Sequence, residues 1–145
     1  MFIGIQGAGK SEFYKQHFYK THIRLNLDML KTRYREQLLV EACLQAKQPL
    51  VIDNTNPTAE DRQRYIDPAK IHGFRVIGYY FRSSLSECMA RNRQREGKAC
   101  VPAPAIAATH KKLQLPRYEE GFDRLYYVYI DGNGTFVVEE YQDEI

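Results

Sequence analysis

Cysteine, long apolar runs and an export signal are all scarce or missing in this sequence. Its three cysteines, Cys43, Cys88 and Cys100, form no Cys-x-x-Cys pair, so neither a disulfide framework nor a structural zinc site is predicted. No apolar run approaches the roughly 20 residues that a membrane-spanning helix needs. The apolar start, Met1–Ile5, lacks the basic residues of a signal peptide. Free thiols fit a reducing compartment, and we therefore expect a cytoplasmic protein without membrane contact.

A strong excess of charge is also missing. The 145 residues include 21 Lys and Arg against 18 Asp and Glu, a net charge of +3. This mildly basic balance suits a phosphorylated ligand but falls short of a protein that coats nucleic acid. With 43% hydrophobic residues, the composition predicts a single globular domain over residues 1–145.

Short apolar segments alternate with helix-like segments along most of the chain. Strands are predicted at Phe2–Ile5, His22–Leu25, Leu50–Asp53 and Phe74–Phe81. Helices are predicted at Lys10–Tyr19, Met29–Lys47, Pro57–Ile71 and Leu85–Arg95, with Asn56 as the N-cap of the third. This alternation predicts an α/β fold with a mainly parallel sheet. Tyr126–Ile130 and Phe136–Tyr141 then predict a C-terminal hairpin.

The segment Gly97–Gln114 differs in composition from the predicted sheet and its helices. It contains one glycine, two of the prolines and several small residues. Such a composition favours a short connection and a helix over the surface rather than core. We therefore predict a lid at approximately residues 91–114.

The segment Gly4–Ser11 matches the pattern G-x-x-x-x-G-K-[ST] and lies between an apolar strand and a helix, as a P-loop requires. Glycines let backbone N–H groups turn toward phosphate oxygens, and the helix N-terminus adds its dipole. Lys10 would reach the β- and γ-phosphates, and the Ser11 hydroxyl would bind Mg²⁺. The residues predicted to hold the nucleoside triphosphate are Gly7, Ala8, Gly9, Lys10, Ser11 and Glu12.

Carboxylates follow two of the predicted strands. Asp53 ends Leu50–Asp53 and is predicted to be a second Mg²⁺-organising residue opposite Ser11, although a strand-terminal aspartate also serves as a turn or cap. Asp28 follows the preceding strand and is a possible general base for an acceptor hydroxyl, with Lys31 near an acceptor phosphate. The alternatives are that Asp28 is an N-cap and that Lys31 is a solvated surface residue.

Several arginines precede the predicted lid. Glu87, Arg91 and Arg95 follow one another at helical spacing, with Arg82 and Arg93 nearby. Such arginines could neutralise charge on a transferring phosphoryl group. A solvated basic helix face paired with Glu87 explains the same pattern.

Five motifs together carry a family resemblance. They are Gly4-x-x-Gly7-x-Gly9-Lys10-Ser11, Asn26-x-Asp28, Asp53-Asn54-Thr55-Asn56-Pro57, Arg91-Asn92-x-x-Arg95 and Val101-Pro102. In type, order and spacing they resemble the kinase module of polynucleotide 5′-hydroxyl kinases, over about residues 2–130. The D-N-T-N-P element is more specific than the P-loop. The resemblance implies a P-loop kinase fold with parallel strand order 2-3-1-4-5.

The resemblance also implies roles for individual residues. ATP, or another NTP, would bind with Mg²⁺ at the P-loop, Asp28 would activate the 5′-hydroxyl of a nucleic acid strand, and Lys10, Arg91 and Arg95 would contact the transferring phosphates. The acceptor would lie against Asp28, Lys31, Asn54 and Thr55. A separate phosphatase or ligase partner is a further expectation.

The segment Asn26–Lys31, which is predicted to face the acceptor, departs from the pattern of the phage-type members. These have arginine between Asn and Asp and another arginine three residues after the Asp, where this chain has Leu27 and Lys31. Because lysine cannot make a bidentate phosphate contact, weaker binding of a nucleotide 3′-phosphate or a different acceptor is expected. The alternatives are a kinase of a small-molecule hydroxyl (nucleoside, sugar or antibiotic) and an NTP-hydrolysing switch or binding module.

Overall fold

A computed structural model describes residues 1–95, 97 and 100–142. The strands are β1 (Phe2–Ile3), β2 (Ile23–Leu25), β3 (Leu50–Ile52), β4 (Ile77–Phe81), β5 (Arg124–Ile130) and β6 (Phe136–Glu140). The helices are α1 (Lys10–His17), α2 (Leu27–Leu30), α3 (Arg33–Ala46), α4 (Ala59–Ile71), α5 (Leu85–Arg93) and α6 (Ala103–Lys112). Among the residues described, none of the helices combines the length and apolarity needed to cross a bilayer.

The described strands form two hydrogen-bonded groups, in the orders β2-β3 and β1-β4-β5-β6. β2 and β3 form one parallel pair, and β1, β4 and β5 form a parallel group to which β6 adds an antiparallel edge. The Gly4 N–H donates to the Thr55 carbonyl at 3.0 Å and joins the two groups just beyond the ends of β1 and β3. The predicted mainly parallel sheet and the C-terminal hairpin are confirmed, and the contact just beyond β1 and β3 agrees with the predicted strand order.

The core fills both faces of the sheet with aromatic and aliphatic side chains. Phe2 of β1 and Phe81 of β4 lie on the same face of the sheet, and Phe13 of α1 packs on them with ring centroids at 5.8 and 5.3 Å. These rings prefer edge-to-face contact, which the angles of 70° and 83° show. Ile106 of α6 is fully buried in the same cluster. The strand before the P-loop and the helix after it are therefore both anchored in the core.

The predicted helix Met29–Lys47 is wrong as a single element. It is divided into α2 and α3 by Lys31, whose backbone φ of 76° is in the left-handed half of conformational space. Thr32 then restarts the helix, because its hydroxyl accepts from the Arg35 N–H at 3.1 Å. The Asn26 side chain caps α2 by accepting from the Met29 N–H at 3.0 Å, so Asp28 is not an N-cap.

Asn56 was predicted to cap the helix over Pro57–Ile71, and this prediction is wrong. Thr58 is the cap, since its hydroxyl accepts from the Asp61 N–H at 3.1 Å and α4 starts at Ala59. Asn56 is buried, with φ of 45°, and its side-chain amide donates to the Phe2 carbonyl at 2.7 Å. The Asn56 side chain is therefore held by Phe2, which is distant in sequence, and does not cap the nearby helix.

The prediction for Gly97–Gln114 is partly wrong. Its helix, α6, does not lie over the surface alone, because Ile106 is 0% exposed and Thr109 is also buried. At the base of the preceding loop, Asn92 donates to the Val101 carbonyl at 2.6 Å and accepts from the Val101 N–H at 2.8 Å. Residues 96, 98 and 99 of the predicted lid lie outside the described residues.

A buried ion pair fastens α4 to the short 3₁₀ helix Tyr118–Glu120. Arg62 is 0% exposed, and its guanidinium contacts both carboxylate oxygens of Glu120, at 2.6 and 3.1 Å. The same guanidinium donates to the Asn56 carbonyl at 2.9 Å. A buried charge that loses its partner strongly destabilises a fold.

We expect Glu120→Gln to lower the free energy of unfolding by about 3 kcal/mol, because Arg62 then keeps a buried charge without its counterion. Chemical denaturation at pH 7 measures the change. Glu87→Gln is the matched control: Glu87 is half-exposed, its contacts with Arg82 and Arg91 are 3.7 and 3.9 Å, and its loss should cost less than about 1 kcal/mol. Equal losses in the two variants would contradict the buried pair's role.

Candidate active site

The loop between β1 and α1 turns on two glycines. Gly7 and Gly9 have φ of 83° and 99°, which residues with a Cβ rarely adopt. A Cβ on Gly7 would lie 2.4 Å from the carbonyl oxygen of Cys88, so the backbone of α5 packs directly on the loop. The Gly9 carbonyl accepts from the Phe13 N–H at 3.0 Å, which starts α1 directly after the loop. The loop is thus held between α1 and α5, with glycine at both of its positions of positive φ.

Lys10 points back into this loop. Its buried ammonium donates to the carbonyls of Gly4 and Ile5, both at 2.8 Å. Burial lowers the pKa of Lys10 to about 8, while the negative charge of Asp53 opposes part of that decrease. The ammonium is therefore held by loop carbonyls, and a phosphate would offer it a stronger, charged partner.

Ser11 and Asp53 meet across the sheet edge. The Ser11 hydroxyl donates to Asp53 Oδ2 at 3.1 Å, and the Asp53 side chain is almost fully buried. Arg24, on β2, contacts both: its Nε donates to Asp53 Oδ2 at 2.7 Å and its Nη2 to Ser11 Oγ at 3.0 Å. These three side chains form a closed triangle of hydrogen bonds.

The donor set at this triangle fits Mg²⁺. A hydroxyl and a carboxylate are oxygen ligands of the kind Mg²⁺ prefers, and the Arg24 guanidinium shows that a cation is stabilised there. Within the described part of the chain, no group of three or more His, Cys, Asp or Glu side chains could hold a metal by itself. Ser11 and Asp53 would therefore share a metal with phosphate oxygens and water.

Asn26 and Leu27, which precede Asp28, are hydrogen-bonded to the two residues that directly follow β3. The Asn26 side chain donates to the Asp53 carbonyl at 2.6 Å, and the Leu27 N–H donates to the Asn54 side-chain oxygen at 2.9 Å. These contacts fix the start of α2, and Asp28 follows in its first turn with an exposed side chain. The position of Asp28 is therefore fixed, while Asn26 rather than Asp28 caps the helix.

Behind Asn54 lies a buried polar network that sequence reasoning missed. Glu36 of α3 is 2% exposed; it accepts from Asn54 Nδ2 at 2.9 Å and from the Tyr65 hydroxyl at 2.6 Å. Arg33 supplies the positive charge, donating to Glu36 at 3.1 Å and to Tyr65 at 2.7 Å. Burial and the bond to Glu36 raise the pKa of Tyr65 to about 12, so this hydroxyl stays a donor. Asn54 is positioned by α3 and α4 together.

One cavity of about 900 Å³ brings most of the predicted residues together. Those that line it are Gly7, Gly9, Lys10, Ser11, Glu12, Asp28, Lys31, Asp53, Asn54, Thr55 and Arg95. Asp28 and Arg95 line the same cavity as Lys10, and their charges shift the pKa of the Lys10 ammonium in opposite directions, Asp28 upward and Arg95 downward.

Two predicted residues are placed elsewhere. Ala8 is 3% exposed and belongs to the core cluster. Arg91 lies behind the P-loop, where its Nη1 donates to the Gly7 carbonyl at 3.0 Å and its Nη2 is 3.9 Å from Glu87. In this conformation Arg91 braces the loop, and its predicted contact with a transferring phosphate stays a prediction.

Sequence reasoning also missed Arg24. The signal available was a charged residue inside a short apolar strand, two positions before Asn26, so that both side chains point to the same side of the strand. Gln6, inside the P-loop, was missed as well: its amide donates to the Thr109 hydroxyl of α6 at 3.1 Å. This bond ties the P-loop to the helix of the predicted lid.

The fold and the loop define a P-loop kinase domain, and residues 1–116 match the family model described as AAA domain. The chain belongs to this family. Its similar relatives include a protein of Acanthamoeba polyphaga mimivirus named as a bifunctional polynucleotide phosphatase/kinase, 31% identical over 130 residues. The bifunctional polynucleotide phosphatase/kinase of Schizosaccharomyces pombe is 29% identical over 126 residues.

These alignments cover 85% and 83% of this chain but only 31% and 30% of the relatives. The chain thus spans about three tenths of the length of the curated relatives it matches. The resemblance to a polynucleotide kinase module is confirmed.

Solved structures agree on the fold. A gluconokinase from Sinorhizobium meliloti 1021 superposes with a TM-score of 0.63 at 17% identity, covering 88% of this chain and 79% of that one. Chaetomium thermophilum Kti12 in complex with ADP-AlF3 superposes with a TM-score of 0.70 at 10% identity, covering 92% and 90%. At these identities the likeness shows the fold alone.

We expect Gly7→Ala to destabilise the protein by roughly 3 kcal/mol or more and to abolish nucleotide binding, because the new methyl meets the Cys88 carbonyl. Gly134→Ala is the control: Gly134 also has positive φ, 78°, but nothing lies within 4 Å of its Cβ position. That change should cost only about 1–2 kcal/mol. Denaturation and nucleotide titration measure both variants; equal behaviour would contradict the packing of α5 on the loop.

Proposed function

We propose that this domain transfers the γ-phosphate of ATP, or of another NTP, to the 5′-hydroxyl of a nucleic acid strand. The observation that carries the proposal is that the P-loop residues Lys10 and Ser11 line the same cavity as Asp28. A domain that only binds or hydrolyses a nucleotide needs no carboxylate placed for an acceptor. The names of the relatives support the choice of a polynucleotide as acceptor.

The proposed reaction uses Asp28 as general base. Its carboxylate takes the proton of the acceptor hydroxyl as that oxygen bonds to the γ-phosphorus, and the bond from phosphorus to the β-γ bridging oxygen breaks. The nucleoside diphosphate leaves with the electron pair of that bond. Asp28 is exposed and lies in the first turn of α2, so an incoming hydroxyl has access to it.

Positive groups would stabilise the charge on the transferring phosphoryl group. Lys10 exchanges its loop carbonyls for phosphate oxygens, and Arg95 lies on the wall of the same cavity. Mg²⁺ would be held by Ser11 and Asp53 with the triphosphate, where it neutralises charge on the phosphate oxygens. The ADP-AlF3 complex of Kti12 supports a nucleotide at this P-loop.

The cavity wall formed by Asp28, Met29 and Lys31 is exposed to solvent, which favours a nucleic acid strand over an enclosed metabolite as the acceptor. Asp28 and Lys31 are exposed, and Met29 between them is 54% exposed. Arg35, also exposed, donates to the Leu30 carbonyl at 3.2 Å at the end of α2. An open surface with basic groups near the acceptor carboxylate suits a polyanion, whereas small molecules favour closed, mostly apolar pockets.

Asp28→Asn tests the proposed base. We expect kcat for phosphorylation of a 5′-hydroxyl oligonucleotide to fall about 100-fold or more, because the amide cannot accept the proton. Nucleotide affinity should change far less than kcat, since among the described residues no hydrogen bond or ion pair joins Asp28 to the P-loop and its charge acts on Lys10 only through space. Transfer of label from [γ-³²P]ATP measures kcat, and fluorescence titration measures affinity.

Asp67→Asn, an exposed change on α4, is the matched control and should keep full activity. Unimpaired transfer by Asp28→Asn would remove the base. No transfer by the wild-type protein to DNA or RNA, with transfer to a nucleoside, a sugar or an antibiotic, would replace the proposed acceptor. Hydrolysis that ignores every acceptor would indicate a switch or binding module.

Nucleotide binding should take up a proton at Lys10. The pKa of its ammonium is about 8 in the free protein, and phosphate oxygens favour the charged form and raise that pKa. Affinity is therefore greatest below pH 8 and falls above it, by up to about tenfold per pH unit. At pH 8 roughly half a proton is taken up per nucleotide.

Isothermal titration of a non-hydrolysable ATP analogue in buffers of different ionisation enthalpy measures this uptake. Lys10→Met should abolish it together with most of the affinity. Lys111→Met, an exposed change on α6, should leave both intact. A wild-type binding enthalpy that is the same in every buffer would refute the linkage.

A further inference from the structure

Arg24 occupies the position at which the proposed function needs a divalent cation. Its Nε is 2.7 Å from Asp53 Oδ2 and its Nη2 is 3.0 Å from Ser11 Oγ. Among the described residues it is the ion-pair partner of Asp53, whose side chain is only 2% exposed. The guanidinium therefore compensates a buried carboxylate that would otherwise be costly to ionise.

We propose that Arg24 is an internal competitor for the catalytic metal, holding Ser11 and Asp53 in the nucleotide-free protein until a divalent cation displaces it. This inference rests on the proposed function, because that function assigns the metal to Ser11 and Asp53. Mg²⁺ binds oxygen at about 2.1 Å in near-octahedral geometry. It cannot share Asp53 Oδ2 and Ser11 Oγ with two guanidinium N–H groups that already contact these atoms.

The backbone keeps Arg24 at this place, while its side chain is free to leave it. Arg24 lies in β2 opposite Val51 of β3, and the Asp53 N–H donates to the neighbouring Leu25 carbonyl at 2.9 Å. The Arg24 side chain is 27% exposed and lines the same cavity as Lys31 and Asp28. The guanidinium thus has solvent and open space beside it when the two oxygens are taken.

Competition has a thermodynamic consequence. A ligand that must first break a charge-assisted ion pair binds more weakly by the free energy of that pair. A triphosphate that arrives with the metal brings negative charge, which gives the released guanidinium a new partner. Arg24 therefore disfavours metal without nucleotide and favours the two together.

Binding of Mn²⁺ alone tests the proposal. Mn²⁺ is titrated at pH 8 without nucleotide or acceptor, and free Mn²⁺ is followed by electron paramagnetic resonance. Arg24→Gln should bind Mn²⁺ about tenfold or more tightly than the wild type, because the competing charge is gone. Arg64→Gln removes the same charge from an exposed position on α4 and should stay within about twofold of the wild type.

The double variant Arg24→Gln/Asp53→Asn should lose the gain, which locates the tightened site. Arg24→Lys retains a charge beside Asp53 and serves if the glutamine variant does not fold; its affinity for Mn²⁺ should lie between those of the wild type and Arg24→Gln. A folded Arg24→Gln, or else a folded Arg24→Lys, that binds Mn²⁺ no more tightly than the wild type would overturn the proposal. Because neither nucleotide nor acceptor is present, this outcome is independent of whether the domain phosphorylates a nucleic acid.

Discussion

The hydrogen bond from the Gly4 N–H to the Thr55 carbonyl, at 3.0 Å, joins the β2-β3 pair to the rest of the sheet. The buried Asn56 side chain strengthens the same junction by donating to the Phe2 carbonyl at 2.7 Å. Since β1 and β3 run in the same direction, the segments that follow them meet at one edge of the sheet. Ser11 and Asp53 are 3.1 Å apart as a result. Every later feature of the candidate site depends on this junction.

Three of the charged side chains at this edge already have partners in the nucleotide-free protein. Lys10 is held by loop carbonyls, Asp53 by Arg24, and Arg91 by the Gly7 carbonyl. Buried charges require such partners, because desolvation otherwise opposes folding. A ligand that contacts these groups therefore has to replace the partners that they already have. If the proposed function holds, such an exchange would couple the protonation of Lys10 and the position of Arg24 to the arrival of phosphates.

Much of this site could be predicted from sequence because its pieces are local. The P-loop needs only a strand, glycines at fixed spacing and a helix N-terminus, and all of these lie within Phe2–His17. The position of Asp53 and Asp28 at the edge of the sheet could be predicted, because each follows an apolar strand and parallel strands end at a common edge. The kinase family followed from the order of these motifs along the chain.

The wrong predictions concern side chains for which both a local and a distant hydrogen-bond partner are available. Asn56 before a proline is a good local cap, but the distant Phe2 carbonyl takes its amide. The predicted continuous helix over Met29–Lys47 breaks at Lys31, because the segment before it is tied to Asn54 and so to Glu36 and Tyr65. The sequence by itself determined the P-loop, the parallel order of strands and the carboxylates at their ends, since these follow from short-range geometry. Only the tertiary structure decided that Arg24 sits between Ser11 and Asp53, that Arg91 braces the loop, and that Glu36 supports Asn54, because partners far apart in sequence are chosen by packing and charge compensation.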